Sequence, residues 1–446
     1  MKTGDRQRTE KEAVTKDGQT GSKKPGYKKK PVKKLLSNNT KVKTNKTKRV
    51  WCVQAHIGSG GFGDVYRVYD EPNPKMEYAM KTEVHGAQQR RLSIEKSILK
   101  EIDTYTTTHK KSRHFCELID SGQTKDYSWI VMTLIGPSLE SVRRMLKRQY
   151  TKSCVINMAL QILDAVEVMH EVGFIHRDLK PANICTGTPP QDDHVLYVLD
   201  FGISRRVFKS SKCHELRNKR ERVPFFGTRK FSSRACHQEK DQGRKDDMET
   251  YLYTILDLFH NERGLSWSKD LADVNKIIEK KHALFENPTK ELDKIIPSGI
   301  DNIIVYLRGL KFEDPVDYRQ IENELRTAGK KMAPSDSSDE TMDWTGKLEQ
   351  LLKEANKNKA VGTPKGEETL LYERLKAKRD RDMTTDAVKT VEMRATINRD
   401  VDASEGMFND KGLTTRTTLV SVELPPPPPP PPQKPPTKQL KSRTRT

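Results

Sequence analysis

Apolar residues recur at the period of regular secondary structure in one stretch of this chain. From Trp51 to about residue 328 they come in short runs, at strand period first and at helix period later, whereas the flanking residues are dominated by polar, charged and proline residues. Burial of such side chains is what offsets the entropy of ordering a backbone, so only this stretch of about 280 residues can build a core. Composition agrees: 33% apolar and 32% charged residues, with a mean hydropathy of −0.82 over 446 residues, exclude folding along the whole length. No window approaches the roughly 18 apolar residues of a membrane span, and the N-terminus lacks a signal-type apolar core. The chain is expected to be soluble and unsecreted, cytoplasmic with the nucleus as a second location, and monomeric. Its six cysteines are scattered without a C-x-x-C pair, which predicts reduced, buried thiols.

Three regions follow. Residues 1–49 read as a disordered basic tail, since residues 1–50 hold 17 Lys/Arg against 4 Asp/Glu. Residues 50–330 read as the folded domain, in two parts of different character. In about 50–135, Trp51 to Ile57, Val65 to Tyr69, Tyr78 to Thr82, Phe115 to Asp120 and Trp129 to Leu134 read as strands, with one helix near Gln89 to Ile102. In about 136–330 the period turns helical: Val155, Met158, Ile162, Val166 and Met169 share a face, and Gly173 supplies a stop. Residues 331–446 read as a largely disordered charged tail, with a weak amphipathic stretch at Trp344, Leu348, Leu351 and Leu352 and an extended proline run from Pro425 to Pro432.

The glycines of Gly58-Ser59-Gly60-Gly61-Phe62-Gly63 are followed by Val65-Tyr66-Arg67-Val68-Tyr69, which alternates at strand period. The loop therefore joins two strands, unlike a dinucleotide-binding turn, which opens a helix, and its glycines permit close approach to phosphates. Ala79-Met80-Lys81 ends a later strand. Glu95 shares a helical face with Leu92, Ile98, Leu99 and Ile102, so its carboxylate is expected to be buried, and Lys81 is the candidate cation for it. His176-Arg177-Asp178-Leu179-Lys180-Pro181-Ala182-Asn183 and Asp200-Phe201-Gly202 then follow in order. Phosphoryl transfer needs charge neutralised on a triphosphate and a hydroxyl held in line. In this pattern Asn183 and Asp200 hold Mg²⁺, Asp178 takes or orients the hydroxyl proton, and Lys180 meets the transferring phosphate of ATP.

On these motifs residues 51 to about 328 resemble a eukaryotic protein kinase. The resemblance implies an α+β bilobal fold, with a five-stranded antiparallel N-lobe carrying one key helix and a mainly helical C-lobe. Lys180, two places after Asp178, is similar to the serine/threonine class. Gly227-Thr228-Arg229-Lys230-Phe231-Ser232-Ser233-Arg234, Gly136-Pro137-Ser138-Leu139 and Asp246-Asp247 resemble the casein kinase I group, and Gly173-Phe174-Ile175 before His176 is most similar to its tau-tubulin kinase branch. The resemblance implies an ATP site formed by Ile57, Gly58, Ser59, Gly60, Gly61, Phe62, Gly63, Asp64, Val65, Ala79, Lys81, Met132 as gatekeeper, and Ile135 in the hinge. It implies Asp247 anchoring the catalytic loop from below. Arg234 departs from the group's Asn, and Lys230 from its anion-contacting Arg.

Residues 203–230 carry ten Lys/Arg against Glu215 and Glu221. Such a segment favours acidic or already phosphorylated substrates, or else is a solvated loop, or docks a phosphate of its own at Ser210, Ser211 or Thr228. The lysine-rich N-terminus suits a solvated tail, an import signal or an acidic cytoskeletal surface; with only Tyr27 available for stacking, sequence-specific nucleic-acid recognition is not expected. The proline run fits an SH3, WW or profilin-type partner, or a spacer. The expectation is an ATP-dependent serine/threonine kinase; the alternative is a pseudokinase scaffold that binds partners through its tails.

Overall fold

The computed structural model describes residues 35–44, 47–60, 63–85, 91–111, 114–147, 149–210, 213–260, 264–331 and 342–361. All of them belong to one compact unit.

The first lobe is an antiparallel sheet of six strands: β1 (Lys41–Lys43), β2 (Val50–Gly60), β3 (Gly63–Asp70), β4 (Asn73–Val84), β5 (Leu118–Gln123) and β6 (Tyr127–Thr133), in the order β1-β2-β3-β4-β6-β5. Strand period separates its faces. Trp51, Val53, Tyr66, Val68, Met80, Trp129 and Val131 pack together on one side. Ala79, Ile130 and Met132 point the other way and meet Leu92, Ile98, Leu99 and Ile102 of helix α1 (Arg91–His109). The sheet corrects two expectations. It has a sixth strand, and that strand lies inside the segment read as a disordered tail: Val42 registers against Trp51 and is buried with it.

The second lobe holds α2 (Leu139–Leu146), α3 (Lys152–Val172), α4 (Arg234–His237), α5 (Arg244–Phe259), α6 (Val274–Glu286), α7 (Pro288–Glu291), α8 (Ile300–Gly309) and α9 (Tyr318–Lys330). Helix α3 begins at Thr151, whose Oγ1 accepts from Cys154 N, and ends at Gly173. That glycine is required: its φ is +95°, and a Cβ there would lie 2.6 Å from the Phe208 ring. Helix α5 is buried on every side from Asp246 to Phe259 and forms the centre of this lobe.

The last helix among the described residues, α10 (Leu348–Val361), lies beyond the expected domain limit at residue 330. Ahead of it, Trp344 is fully buried, donates Nε1–H to the Asp193 carbonyl at 2.7 Å and meets Tyr150 edge-on. Asp343 accepts from Thr151 N and Oγ1 at 2.8 and 2.7 Å, bracing the start of α3. The 331–446 reading as tail is therefore corrected for residues 342–357, which are ordered against the lobe. Pro425 to Pro432 and residues 1–34 lie outside the described residues. No helix is long and apolar enough to cross a membrane among the described residues. Five of the six cysteines are buried and all six are free thiols.

Candidate active site

Register places Lys81 on the inner face of the sheet. It pairs with Ile130 of β6, two positions along from the Ala79 to Met132 pair, so its side chain leaves β4 toward α1. There Nζ lies 2.5 Å from Glu95 Oε2 and 3.1 Å from Asp200 Oδ1. Glu95 is buried on the apolar stripe of α1, where an unpaired carboxylate would cost several kcal/mol. Burial alone would lower the Lys81 ammonium, yet Glu95 and Asp200 together hold it above the ordinary lysine value. Lys81 in turn holds the Asp200 carboxyl below its usual range against the opposing push of burial. Asp200 sits at φ 69°, a conformation that non-glycine residues rarely keep without a compensating role.

A second carboxylate organises the loop of His176 to Asn183 from beneath. Asp247, in the first turn of α5, accepts from the backbone N–H of His176 and, at 2.8 Å, of Arg177. His170 Nε2 lies 3.1 Å from the same carboxylate and His170 Nδ1 lies 2.6 Å from the Tyr318 hydroxyl. His176 Nδ1 accepts from Asp178 N, which places its proton on Nε2, 3.0 Å from the Leu199 carbonyl. The buried ring of Phe201 stands edge-on to His176 and against Phe115.

Above this support Asp178 has three neighbours. Lys180 Nζ lies 2.6 Å from Oδ2, Asn183 Nδ2 donates to the Asp178 carbonyl at 2.9 Å, and Thr228 Oγ1 donates to Oδ1 at 2.8 Å. Lys180 also donates to Thr228 Oγ1 at 2.9 Å. With Nδ2 committed to the loop, Asn183 keeps its carbonyl oxygen for a cation, and Asp200 supplies a carboxylate. Two hard oxygen donors suit a divalent cation of the Mg²⁺ type, which seldom takes an all-protein cage.

The other expected residues are placed as follows. Gly58, Ser59 and Gly60 of β2 register against Val65, Asp64 and Gly63 of β3. A Cβ on Gly63 would lie 1.9 Å from the Thr82 carbonyl oxygen, so only glycine fits there. Ala79 and Met132 are buried, while Val65 and Ile135 are half-buried against the same core. Ile57 is exposed. Asp64 and Ser59 are turned to each other, Oγ to Oδ1 at 2.7 Å, and brace the strand pair instead of joining the Lys81 cluster. Gly61 and Phe62 lie outside the described residues. Thr228 was noted in the sequence only within a motif and as a modification candidate; its hydroxyl is engaged by Asp178 and Lys180.

The basic segment is more compensated than its charge count implies. Arg206 pairs with Glu101, Lys209 with Glu215, Arg222 with Glu239 and Lys230 with Asp257. The counter-charges come from elsewhere in the chain in all but one case. The exception to this balance is a cluster around Asp241, where the arginines 177, 217 and 220 approach one carboxylate at 3.7, 3.9 and 3.0 Å. Burial and the neighbouring Arg205 and Arg220 lower the Arg177 guanidinium to about 9, and its Nε has no hydrogen-bond partner among the described residues. Arg234, the departure noted above, gives N and Nε to Glu249 Oε1 and stacks 3.6 Å over the Phe285 ring, tying the segment's end to α5 and α6.

Residues 51–341 match the family described as Protein kinase domain. A Dictyostelium discoideum protein described as a serine/threonine-protein kinase is 28% identical over 295 residues, covering 66% of this chain and 56% of that protein. Two Caenorhabditis elegans proteins described in the same terms are 34% identical over 243 residues and 32% identical over 289. These cover 53% and 62% of this chain, and 71% of each relative.

Proposed function

Since the chain belongs to the protein kinase family, we propose that it transfers the γ-phosphate of ATP to serine and threonine hydroxyls of proteins, with Asp178 as the group that receives the hydroxyl proton. The observation that carries this reading is the convergence of Glu95 and Asp200, far apart in sequence, on the Lys81 ammonium at 2.5 and 3.1 Å. Lys81, oriented by Glu95, is placed to hold the α- and β-phosphates, and the glycine-rich strand pair to cover them. Asn183 and Asp200 would hold Mg²⁺, which supplies charge neutralisation on the triphosphate. In the transfer the acceptor oxygen bonds to the γ-phosphorus, the bond from that phosphorus to the ADP oxygen breaks, and the hydroxyl proton passes to Asp178. Lys180, beside Asp178, offsets charge on the moving phosphoryl group.

The arginine cluster at Asp241 supports a preference for acidic or already phosphorylated substrates, because an anion there would relieve a buried excess of positive charge. The Gly227 to Arg234 sequence, with Thr228 held on Asp178, supports membership of the casein kinase I group in a divergent tau-tubulin kinase-like branch. The proline run remains our proposal for an SH3, WW or profilin-type contact. The pseudokinase reading is disfavoured by the complete set of Lys81, Asp178, Asn183 and Asp200.

The test is phosphate transfer by the full chain from labelled ATP to peptides that differ only in an acidic or phosphorylated neighbour of the acceptor. Asp178→Asn is expected to slow transfer by on the order of 10² to 10⁴. Equal transfer by both proteins, or none by either, removes the catalytic reading. Equal use of acidic and basic peptides removes the substrate preference alone.

A further inference from the structure

Helix α6 carries a cation on its buried stripe. Ile277, Lys281, Leu284 and Phe285 are its buried residues, and Lys281 has no exposed surface at all. A lysine is placed in such a position only if its donors are used, and here two of them meet carbonyls and the third faces a ring nitrogen. Nζ lies against the Ser232 carbonyl, 3.2 Å from the Arg229 carbonyl and 3.2 Å from His237 Nε2. The rings of Tyr253 and Trp267 face the ammonium at 4.5 and 5.3 Å.

Both carbonyls belong to the strip that begins at Thr228. Phe231 N and Ser232 N donate to the Thr228 carbonyl at 2.9 Å each, and Ser232 Oγ does so at 3.0 Å, so residues 228–232 form one closed turn. Trp267 Nε1 holds the Lys230 carbonyl at 2.8 Å from the same side. Lys281 thus holds the turn at Arg229 and at Ser232, and Thr228 at its start carries the hydroxyl that touches Asp178.

We propose that Lys281 is a positioning residue for protein substrates: it seats the Thr228 to Ser233 strip on the second lobe, and through that strip aligns the acceptor segment with Asp178. This rests on the kinase reading and adds to it a residue remote from the cleft.

The groups facing Lys281 set how it responds to pH. His237, Cys236 and Arg234 face it from α4, Glu249 and Tyr253 from α5, and the two carbonyls from the strip. Burial lowers the ammonium to about 7, with Glu249 and Cys236 opposing that shift and Arg234 adding to it. Above that value the side chain loses its charge and with it the charge-assisted strength of its bonds to the two carbonyls, so the strip loosens as pH rises.

The experiment compares the full-length protein with Lys281→Met in steady-state phosphorylation of a serine peptide. The expected result is a decline in peptide kcat/KM between pH 6.5 and 8.5 in the unsubstituted protein, and in Lys281→Met a loss of that decline with a peptide KM raised about tenfold and the KM for ATP within about twofold. Equal proportional losses in the peptide and ATP parameters, or an unchanged peptide KM, overturn the proposal. Should Lys281→Met fail to fold, amide hydrogen exchange of residues 228–233 in the unsubstituted protein decides. Exchange at pH 8.5 that exceeds the intrinsic base-catalysed increase supports the clamp, and no excess overturns it. If the unsubstituted protein transfers no phosphate while this exchange responds to pH, it is the kinase reading that has failed.

Discussion

Thr228 Oγ1 and Asp178 Oδ1 are joined by a 2.8 Å hydrogen bond across fifty residues of sequence. Lys180 completes the contact by reaching both partners, so the position of the Asp178 carboxylate depends on the segment that carries Thr228. In the proposed reaction this makes orientation of the base and placement of that segment one structural event.

Thr228→Val removes the donor while keeping the shape. It is expected to lower kcat by about 10 to 10² with the KM for ATP little changed, because a misoriented base loses transition-state contact more than ground-state binding. Thr228→Ser keeps the hydroxyl and should remain within about threefold. Steady-state kinetics on both variants checks the split.

Removing Lys81 leaves two carboxylates, Glu95 and Asp200, without their common cation. Lys81→Met is expected to depress phosphotransfer by on the order of 10² or more and to lower the unfolding midpoint, since a buried pair broken on one side costs about 3–5 kcal/mol. Glu95→Gln retains a hydrogen-bond acceptor for Lys81 and should act chiefly on ATP, raising its KM about tenfold. Nucleotide titrations with parallel thermal melts separate the two effects.

His237 titrates where the folded and unfolded chains differ. Burial, reinforced by Lys281, lowers its imidazole to about 4 from an ordinary 6.5. Between those values the unfolded chain binds a proton that the folded chain refuses, so stability is complete above pH 6.5 and falls as pH drops toward 4. Denaturant midpoints measured at pH 7 and pH 5 should differ less in His237→Leu than in the unsubstituted protein.

Much of the site was legible because its signals are local. Alternation at Val65 to Tyr69 placed the glycines on a strand pair, and the 3–4 spacing around Glu95 identified a carboxylate that had to be buried against a cation. What was hidden depends on partners distant in sequence. Strand β1 has one apolar residue, Val42, and becomes a strand only because Val50–Cys52 are there to receive it. Trp344 stands in a Ser- and Asp-rich neighbourhood, and nothing in that window indicates Tyr150 or Asp193. The ten basic residues after Gly202 read as a field of positive charge, but Glu101, Glu239 and Asp257, which offset three of them, lie outside that segment. Lys281 was indistinguishable from a solvated helix lysine beside Lys280, because its acceptors are backbone carbonyls.

Trp344 is fully buried in the main core, beside Tyr150. Trp344→Ala is expected to cost about 3–5 kcal/mol, comparable with losing a central aromatic of the sheet, and a chain ending at residue 330 should melt below one ending at residue 361. Thermal unfolding of the three proteins measures this, and equal midpoints would show the contact to be superficial.

That contact also sets an order of events during synthesis. The second lobe cannot close around Tyr150 and the start of α3 until residues 342–348 have left the ribosome, because the indole that seals them is made after every described helix but α10. Until then the lobe waits with an unfilled apolar seam, and a pause in translation just before this tryptophan would lengthen its exposure to chaperones.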